Sequence, residues 1–460
     1  ICEGLVGSEM CIRDRLSIIV LAAGKGTRMH SALPKVLQPL AGKPLLEHVI
    51  NTSQLLNPEE VCIVYGFSGE KIQKKFIANT QLLWAHQKEQ LGTGHAVKQA
   101  TKIISKNNKV LILYGDVPLI SSATLQLLIK EHRDNEISLL TALLPSGAGY
   151  GRIIRHNNLV QAIIEDSDAS EIEKNIKEIN TGIMYCDATQ LEDWLNRLTN
   201  NNTKGEYYLT DIIAMAVNDG IKVNGIQANK WEEVMGINDK KELAKAERFL
   251  QKELAENLMA EGVSLADPTR LDIRGKLTCG KDVFIDVNTI FEGDVVLGSN
   301  VSVGPNNVIK DTKIFDKTRI HANCHIEGAL IGKESEIGPY ARLRPGAVLS
   351  DGVKVGNFVE IKKSTVDQGS KINHLSYIGD AKIGKSVNVG AGTITCNYDG
   401  ANKYNTEIKD GAFIGSGVEL VAPVTVEKNA TIGAGSTISK VAPEGSLTVE
   451  RAKQITNDKW

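Results

Sequence analysis

Six residues separate Ile408 from Ile414, and the same interval carries the chain on through Leu420, Val426, Ile432 and Ile438. A helix returns to one face every ~3.6 residues and a strand every ~2, so a sustained period of six belongs to neither alone. It predicts a repeat architecture. The same ladder runs through Ile285, Phe291, Leu297, Val303 and Ile309, then through Ile331, Ile337, Leu343, Leu349, Val355 and Ile361. Gly often follows the aliphatic residue, as at Ile331-Gly332 and Ile414-Gly415, which suits a short segment with its side chain inward, closed by a tight corner. Three such segments make a triangular turn of about 18 residues, so roughly 150 residues form on the order of nine turns of one coil.

Steps of five at Ile326 to Ile331, Ile361 to Val366 and Ile378 to Ile383 break the period and predict places where a loop or bend leaves the coil. The longest interruption is polar, Thr395 to Glu407, and an extruded loop is expected around Thr395-Cys396-Asn397-Tyr398-Asp399-Gly400. Most Lys and Asp residues of such a coil face solvent. Arg344, Lys362, His374, Tyr377, Asn388, Asn397, Tyr398 and Lys403 gather instead near the broken steps and the loop. Two cations suit a phosphate, aromatic and amide groups suit a sugar, and a histidine can take a proton from an amine near neutral pH. His321-Ala322-Asn323-Cys324-His325 has no standard zinc spacing, and its alternate residues would face opposite sides.

From Leu16 to about Asn238 the pattern changes to short aliphatic runs alternating with amphipathic stretches. Ser17–Leu21, Val61–Tyr65 and Val110–Leu113 read as strands of an α/β domain. Asp239–Glu261, with Leu243, Ala246, Leu250 and Leu254 at helical spacing, reads as a linker helix that Asp267-Pro268 brings to an end before the ladder begins. The first strand runs into Ala22-Ala23-Gly24-Lys25-Gly26-Thr27-Arg28-Met29. Small residues directly after a strand let backbone N–H groups approach an anion, and Lys25 and Arg28 add charge. The spacing matches neither a P-loop nor GxGxxG. Lys35 follows in Leu33-Pro34-Lys35, and Tyr114-Gly115-Asp116 closes another strand at the edge where open α/β sheets bind ligands. Asp116 with Asn238 could hold a divalent cation, although an Asp before Val117-Pro118 could equally be a helix cap.

LAAGKGTRM followed by LPKVL resembles the signature of the sugar-nucleotide pyrophosphorylases. The likeness extends through Gln87-Lys88-Glu89-Gln90-Leu91-Gly92-Thr93-Gly94, Gly149-Tyr150-Gly151-Arg152, Glu165, Asn180-Thr181-Gly182 and Gly236-Ile237-Asn238. The second half resembles the hexapeptide acetyltransferases. Together, over Leu16 to Trp460, the chain is similar to the bacterial bifunctional uridylyltransferase and acetyltransferase family that makes UDP-N-acetylglucosamine for peptidoglycan and lipopolysaccharide. The resemblance implies a Rossmann-like nucleotide-diphospho-sugar transferase domain (residues 16–238), a linker helix (239–262) and a left-handed parallel β-helix (263–460). It implies that Leu21, Ala22, Ala23, Gly24, Tyr114 and Gly115 contact the nucleotide, that Gln87, Gly92 and Thr93 hold uracil, and that Arg28 and Lys35 neutralise phosphate. Asp116 and Asn238 would bind Mg²⁺, and Gly151, Glu165 and Asn180 the amino sugar. In the coil it implies His374 as general base, Arg344 and Lys362 as phosphate grips, and Tyr377 and Asn388 as sugar contacts. Asn397 and Tyr398 would line the acetyl group, and Ala391, Ser416, Ala434 and Arg451 would meet acetyl-CoA. Family members assemble as homotrimers, and the same is expected here.

A net charge of −2 demands no nucleic-acid partner. No apolar run approaches the ~18 residues of a membrane span. Seven cysteines without CxxC spacing predict reduced thiols and a cytoplasmic home. Ile1–Arg15 lacks the apolar core of a signal peptide and is expected to be an extraneous leader. A pyrophosphorylase whose coil only oligomerises it, or a nucleotide-sugar sensor on a stalk, would leave the group around His374 unemployed.

Overall fold

The computed structural model describes residues 15–144, 147 and 149–456. The chain divides into two compact units, one ending at Phe249 and the other beginning at Leu250. Of the expected leader only Arg15 falls among the described residues.

The first unit is built on nine strands: β1 (Leu16–Ala22), β2 (Glu60–Tyr65), β3 (Leu82–His86), β4 (Lys109–Tyr114), β5 (Glu136–Leu143), β6 (Arg152–His156), β7 (Leu159–Ile164), β8 (Glu178–Asp187) and β9 (Lys222–Gln227). The sheet order is β9-β5-β8-β4-β1-β2-β3, with β6 and β7 forming a hairpin that joins it beside β8. β8 runs antiparallel to both of its long neighbours, β4 and β5, while β1 pairs with β2 and β4 in parallel. From Ile18 to Ala22 β1 reads as an unbroken apolar run because both faces are covered. Ile19 and Leu21 face a core shared with α3 (Thr93–Ala100), α5 (Ala188–Arg197) and α6 (Asp211–Asn218). Ile18 and Val20 face the other core, with α1 (Leu45–Gln54) and α4 (Ser122–Lys130). The parallel strands β1, β2, β3 and β4 therefore release Ala23, Gly66, Gln87 and Gly115 at one edge. Since β8 runs the other way, Asn180 to Gly182, near its start, lie at that edge too.

In the second unit, short strands stack in parallel through the ladder. One face is an 11-stranded sheet, and the other two faces run together as a 17-stranded one. Every ladder residue from Ile285 to Ile438 is 3% exposed or less, and each buried aliphatic side chain is worth about 1.5–3 kcal/mol of transfer free energy. The steps of five do not release loops. Asp311, Gly328, Lys363 and Asp380 adopt φ values of 45°, 57°, 44° and 48°, and this left-handed corner shortens one side by a residue. The turn then closes in 17 residues where others take 18. One loop does leave the coil, at residues 397–405, stretching the offset to 25 without disturbing the pairing of Asn388 with Phe413. Thr395 and Cys396, expected in the loop, belong to the strand Ile394–Cys396. Thr395 takes a ladder position, and its hydroxyl accepts from Gly379 N (2.8 Å).

The long helix α7 (Lys240–Ala260) spans the division between the two units. Its Gln251 side chain donates to Ile273 O and accepts from Ile273 N, both at 2.8 Å. The amide thus satisfies a backbone edge that no further turn covers, with Leu258 packed on the same core. Capping an open solenoid end in this way removes an unpaired strand edge. The coil's strands begin ahead of Pro268, where Ser264–Leu265 pairs with Phe284–Ile285. Asp267 accepts from Thr269 N and starts a single 3-10 turn at Pro268.

Candidate active sites

At the carboxyl edge of the sheet a cleft of about 430 Å³ is lined by Leu21, Ala22, Ala23, Gly24, Lys25, Lys35, Gln87, Gly92, Thr93, Tyr114 and Asp116. Gly115 N donates to Leu21 O (2.9 Å), which ties the ends of β1 and β4 together. Gly24 has open space where a Cβ would stand, so a ligand could come close to the backbone there. Gly26 is different: at φ 61° its Cβ would lie 2.6 Å from that of Lys35. That close approach holds Lys35 against the turn.

Lys35 is the hub of the cleft. Its ammonium forms an ion pair with the Asp116 carboxylate and donates to Asn238 Oδ1 at 3.3 Å. Ile237 N donates to Asp116 O (2.9 Å), which anchors the segment carrying Asn238. Asp116 caps no helix; α4 is capped by Ser121, whose hydroxyl accepts from Thr124 N (3.1 Å). Two oxygens, one carboxylate and one amide, thus converge on the Lys35 ammonium. Such a sparse oxygen set fits Mg²⁺, which fills its remaining positions with water and phosphate.

Gln87 and the 92–93 turn are set by the segment around Tyr207. Gln87 Nε2 donates to Gly92 O (3.0 Å), and Gly94 N donates to Tyr207 O (2.9 Å). The Thr93 hydroxyl accepts from Leu209 N (3.0 Å). Gly92, at φ 110°, leaves no room for a Cβ beside Tyr207. Gly151, Glu165 and Asn180 form a second group. Asn180 N donates to Gly151 O (2.8 Å), and Glu165 accepts from the Thr210 hydroxyl (3.0 Å). Tyr114 links this group to the cleft. Its ring packs against Gly182, whose Cβ would fall 2.4 Å from a ring carbon. Burial pushes the Tyr114 phenol up, and the charges of Glu165 and Asp116 push it further. Arg28 is exposed on the turn Thr27–Met29 and is not among the residues lining the cleft.

In the coil, one corner carries a vertical column. Leu375 N donates to Asn357 O (3.0 Å), Gly392 N to His374 O (3.3 Å), Gly417 N to Ala391 O (2.7 Å) and Gly435 N to Ser416 O (2.8 Å). Asn357, His374, Ala391 and Ser416 therefore stack turn on turn, with Ala434 next to Gly435 above them. His374 is exposed and its Nδ1 lies 2.7 Å from Asn357 Oδ1. A second group sits on the adjoining side. Lys362 pairs in register with Gly379, where a Cβ would meet Tyr377 Oη at 2.5 Å and Asn397 Nδ2 at 2.9 Å. Asn397 donates to Asp380, and Arg344 Nη1 donates to Glu360 Oε1 (2.9 Å). Asn388 pairs with Lys371 on the strand that leads to His374. Tyr398 and Arg451 are exposed.

Three partners escaped the sequence: Asn357, Glu360 and Asp380. Asn357 precedes His374, and Asp380 precedes Asn397, by 17 residues, the length of one turn. Glu360 pairs in register with Tyr377. The repeat itself was the signal that would have found all three. In the cleft, Gln90 and Glu206 also line the walls, with no comparable periodicity to point to them.

Residues 18–169 match the model of the MobA-like NTP transferase domain, residues 273–366 that of the GMPPB C-terminal domain, and residues 405–440 that of the bacterial transferase hexapeptide (six repeats). The chain is 55% identical over 450 residues to the "Bifunctional protein GlmU" of Nitrosospira multiformis, covering 97% of each. It is 53% identical to the protein of that description from Nitrosomonas eutropha and 51% to that from a Janthinobacterium species. Each alignment covers 97% of this chain and 98% of the relative.

Proposed function

The chain belongs to the GlmU family of bifunctional proteins, and we infer from this membership how its two units divide the work. It makes UDP-N-acetylglucosamine in two steps: acetyl transfer from acetyl-CoA to glucosamine 1-phosphate, then uridylyl transfer from UTP to N-acetylglucosamine 1-phosphate. The observation that carries the assignment of the second step is the convergence of Lys35, Asp116 and Asn238 beside the open turn at Gly24.

In that cleft a phosphate oxygen of the sugar attacks the α-phosphorus of UTP, one P–O bond forms, and the bond to pyrophosphate breaks. Little is asked of the protein beyond placement and charge neutralisation. Lys35, Lys25 and the exposed Arg28 would face the triphosphate, with Gln87, Gly92 and Thr93 at the base. The group of Gly151, Glu165 and Asn180 is suited to sugar hydroxyl and acetamido groups. Asp116 and Asn238 would hold Mg²⁺, which when bound supplies positive charge to the phosphates.

In the coil the amine of glucosamine 1-phosphate attacks the thioester carbonyl, a C–N bond forms and the C–S bond of acetyl-CoA breaks. His374 would accept the amine proton. Arg344 and Lys362 would grip the phosphate, Tyr377 and Asn388 the sugar, and Asn397 with Tyr398 the acetyl group. The small residues Ala391, Ser416 and Ala434 on one column leave an unobstructed edge suited to an extended thioester. Arg451 would meet its phosphates. One coil offers a single wall, so a parallel homotrimer in which neighbours complete each site is the expected assembly. The domain limits 16–238 and 263–460, and a cytoplasmic setting, complete the reading.

Incubation with glucosamine 1-phosphate, acetyl-CoA, UTP and Mg²⁺ tests it, with UDP-N-acetylglucosamine and pyrophosphate as the expected products. Acetyl transfer without nucleotide product, or the reverse, would show that one of the two assignments is wrong.

A further inference from the structure

The imidazole of His374 stands at an exposed corner, yet its backbone is held from three directions. Its carbonyl accepts from the Ser376 hydroxyl (2.8 Å) and from Gly392 N (3.3 Å), while the next residue, Leu375, donates to Asn357 O (3.0 Å). Leu375 has φ 50°, a left-handed corner that turns the chain directly after the histidine. What these bonds leave free is rotation of the side chain itself, and an exposed ring with free rotamers would sample many directions. One contact restrains it: Nδ1 lies 2.7 Å from Asn357 Oδ1, one turn away, with the two residues paired in register.

The amide of Asn357 is placed with its oxygen toward the ring; in that orientation it can only accept, and the imidazole nitrogen facing it carries the proton. The other nitrogen, Nε2, then keeps its lone pair. We propose that Asn357 is a positioning residue of acetyl transfer, fixing His374 in the Nδ1–H tautomer so that Nε2 is the atom that takes the proton from the substrate amine. The inference rests on His374 being the base. In this role Asn357 acts through the ring. Because it is neutral, it orients the ring without placing a negative charge beside it. An acid in its place would also accept from Nδ1–H, but it would favour the protonated ring, which cannot serve as a base.

The test compares the full-length protein with Asn357→Ala, Asn357→Asp and His374→Ala, reading ¹⁵N shifts of the imidazole and the steady-state kinetics of acetyl transfer. In the unsubstituted protein the ring is expected as the Nδ1–H tautomer. In Asn357→Ala the population moves to Nε2–H, and kcat falls about tenfold to a hundredfold with KM for glucosamine 1-phosphate and acetyl-CoA nearly unchanged. Asn357→Asp keeps the tautomer and recovers more of kcat at high pH than at neutral pH. An Nε2–H tautomer in the unsubstituted protein, or Asn357→Ala with unchanged tautomer and kcat, overturns the proposal. Undiminished acetylation by His374→Ala would instead remove the base assignment beneath it, an outcome separable from the first two. The midpoint of thermal unfolding of each variant distinguishes loss of fold from loss of positioning. Should Asn357→Ala not fold, the ring tautomer of the unsubstituted protein still decides.

Discussion

The two units gather their chemistry in opposite ways. In the sheet, Lys35, Asp116 and Asn238 come from three distant parts of the chain and meet only because parallel strands end at one edge. In the coil, Asn357 and His374, or Asp380 and Asn397, meet because they are one turn apart. A sheet site depends on the whole topology; a coil site depends on local stacking and tolerates change elsewhere along the solenoid. The contrast predicts separable activities and different responses to damage.

The largest expected effect is chemical. Asp116→Ala should lower uridylyl transfer by at least about a thousandfold, since an electrostatic anchor of a phosphoryl-transfer cleft is lost, while acetyl transfer persists. Coupled assays of each half-reaction on one preparation check this, and loss of both in a folded protein would break the comparison. Next comes the core. Ile361→Ala in the ladder should cost about 2–5 kcal/mol, and the loss should concentrate in the coil because its contacts lie between neighbouring turns. Denaturant unfolding followed by hydrogen exchange would show the sheet unit unchanged. Glycine substitutions sharpen the point within the sheet. Gly182→Ala drives a Cβ into the Tyr114 ring at a positive φ and should destabilise by about 1–3 kcal/mol. Gly24→Ala meets nothing within 4 Å, so its melting temperature should stay put and only KM for UTP should rise. A melting temperature that falls equally for both would argue against an open turn at Gly24.

The smallest effect concerns thiols shared by both units. Burial pushes Cys186 in the sheet and Cys279 in the coil up to about 12 from an ordinary value of 9.0. Above that ordinary value the unfolded chain gives up thiol protons that the folded one keeps, so stability is full below about 9 and falls as pH rises toward 12. Urea midpoints measured between about pH 8 and pH 11 should decline, and a Cys279→Ala variant should lose part of that slope. A flat profile would mean the thiols ionise alike in both states.

How much of this could be read in advance differs between the units for a physical reason. The ladder was legible because a buried residue every six positions is a direct imprint of the coil, and every one of those side chains is buried. Periodicity left open whether a broken step is a loop or a bend, and a single left-handed residue such as Lys363 or Asp380 absorbs the missing position. The strands Ser17–Leu21 and Val110–Leu113 were legible from their apolar runs, yet nothing in those runs says that β8 inserts antiparallel between β4 and β5. Strand order is decided by packing across the whole sheet, so the meeting of Asn180 with the edge near Tyr114 could be expected only from family likeness. Glu206 lines the same cleft and had no such pointer.

The loop at residues 397–405 has one more consequence. It lengthens a single turn, yet Asn388 still pairs with Phe413 and Ile383 with Ile408, so nothing above or below is displaced. Closing a somewhat longer excursion costs only a slowly growing entropy, roughly 0.6 kcal/mol per doubling of its length. The coil therefore behaves like a shelf on which material can be added at one corner without re-levelling the rest. Lengthening or shortening that excursion becomes a way to reshape what lies over Asn397 while leaving the folding of the molecule almost untouched.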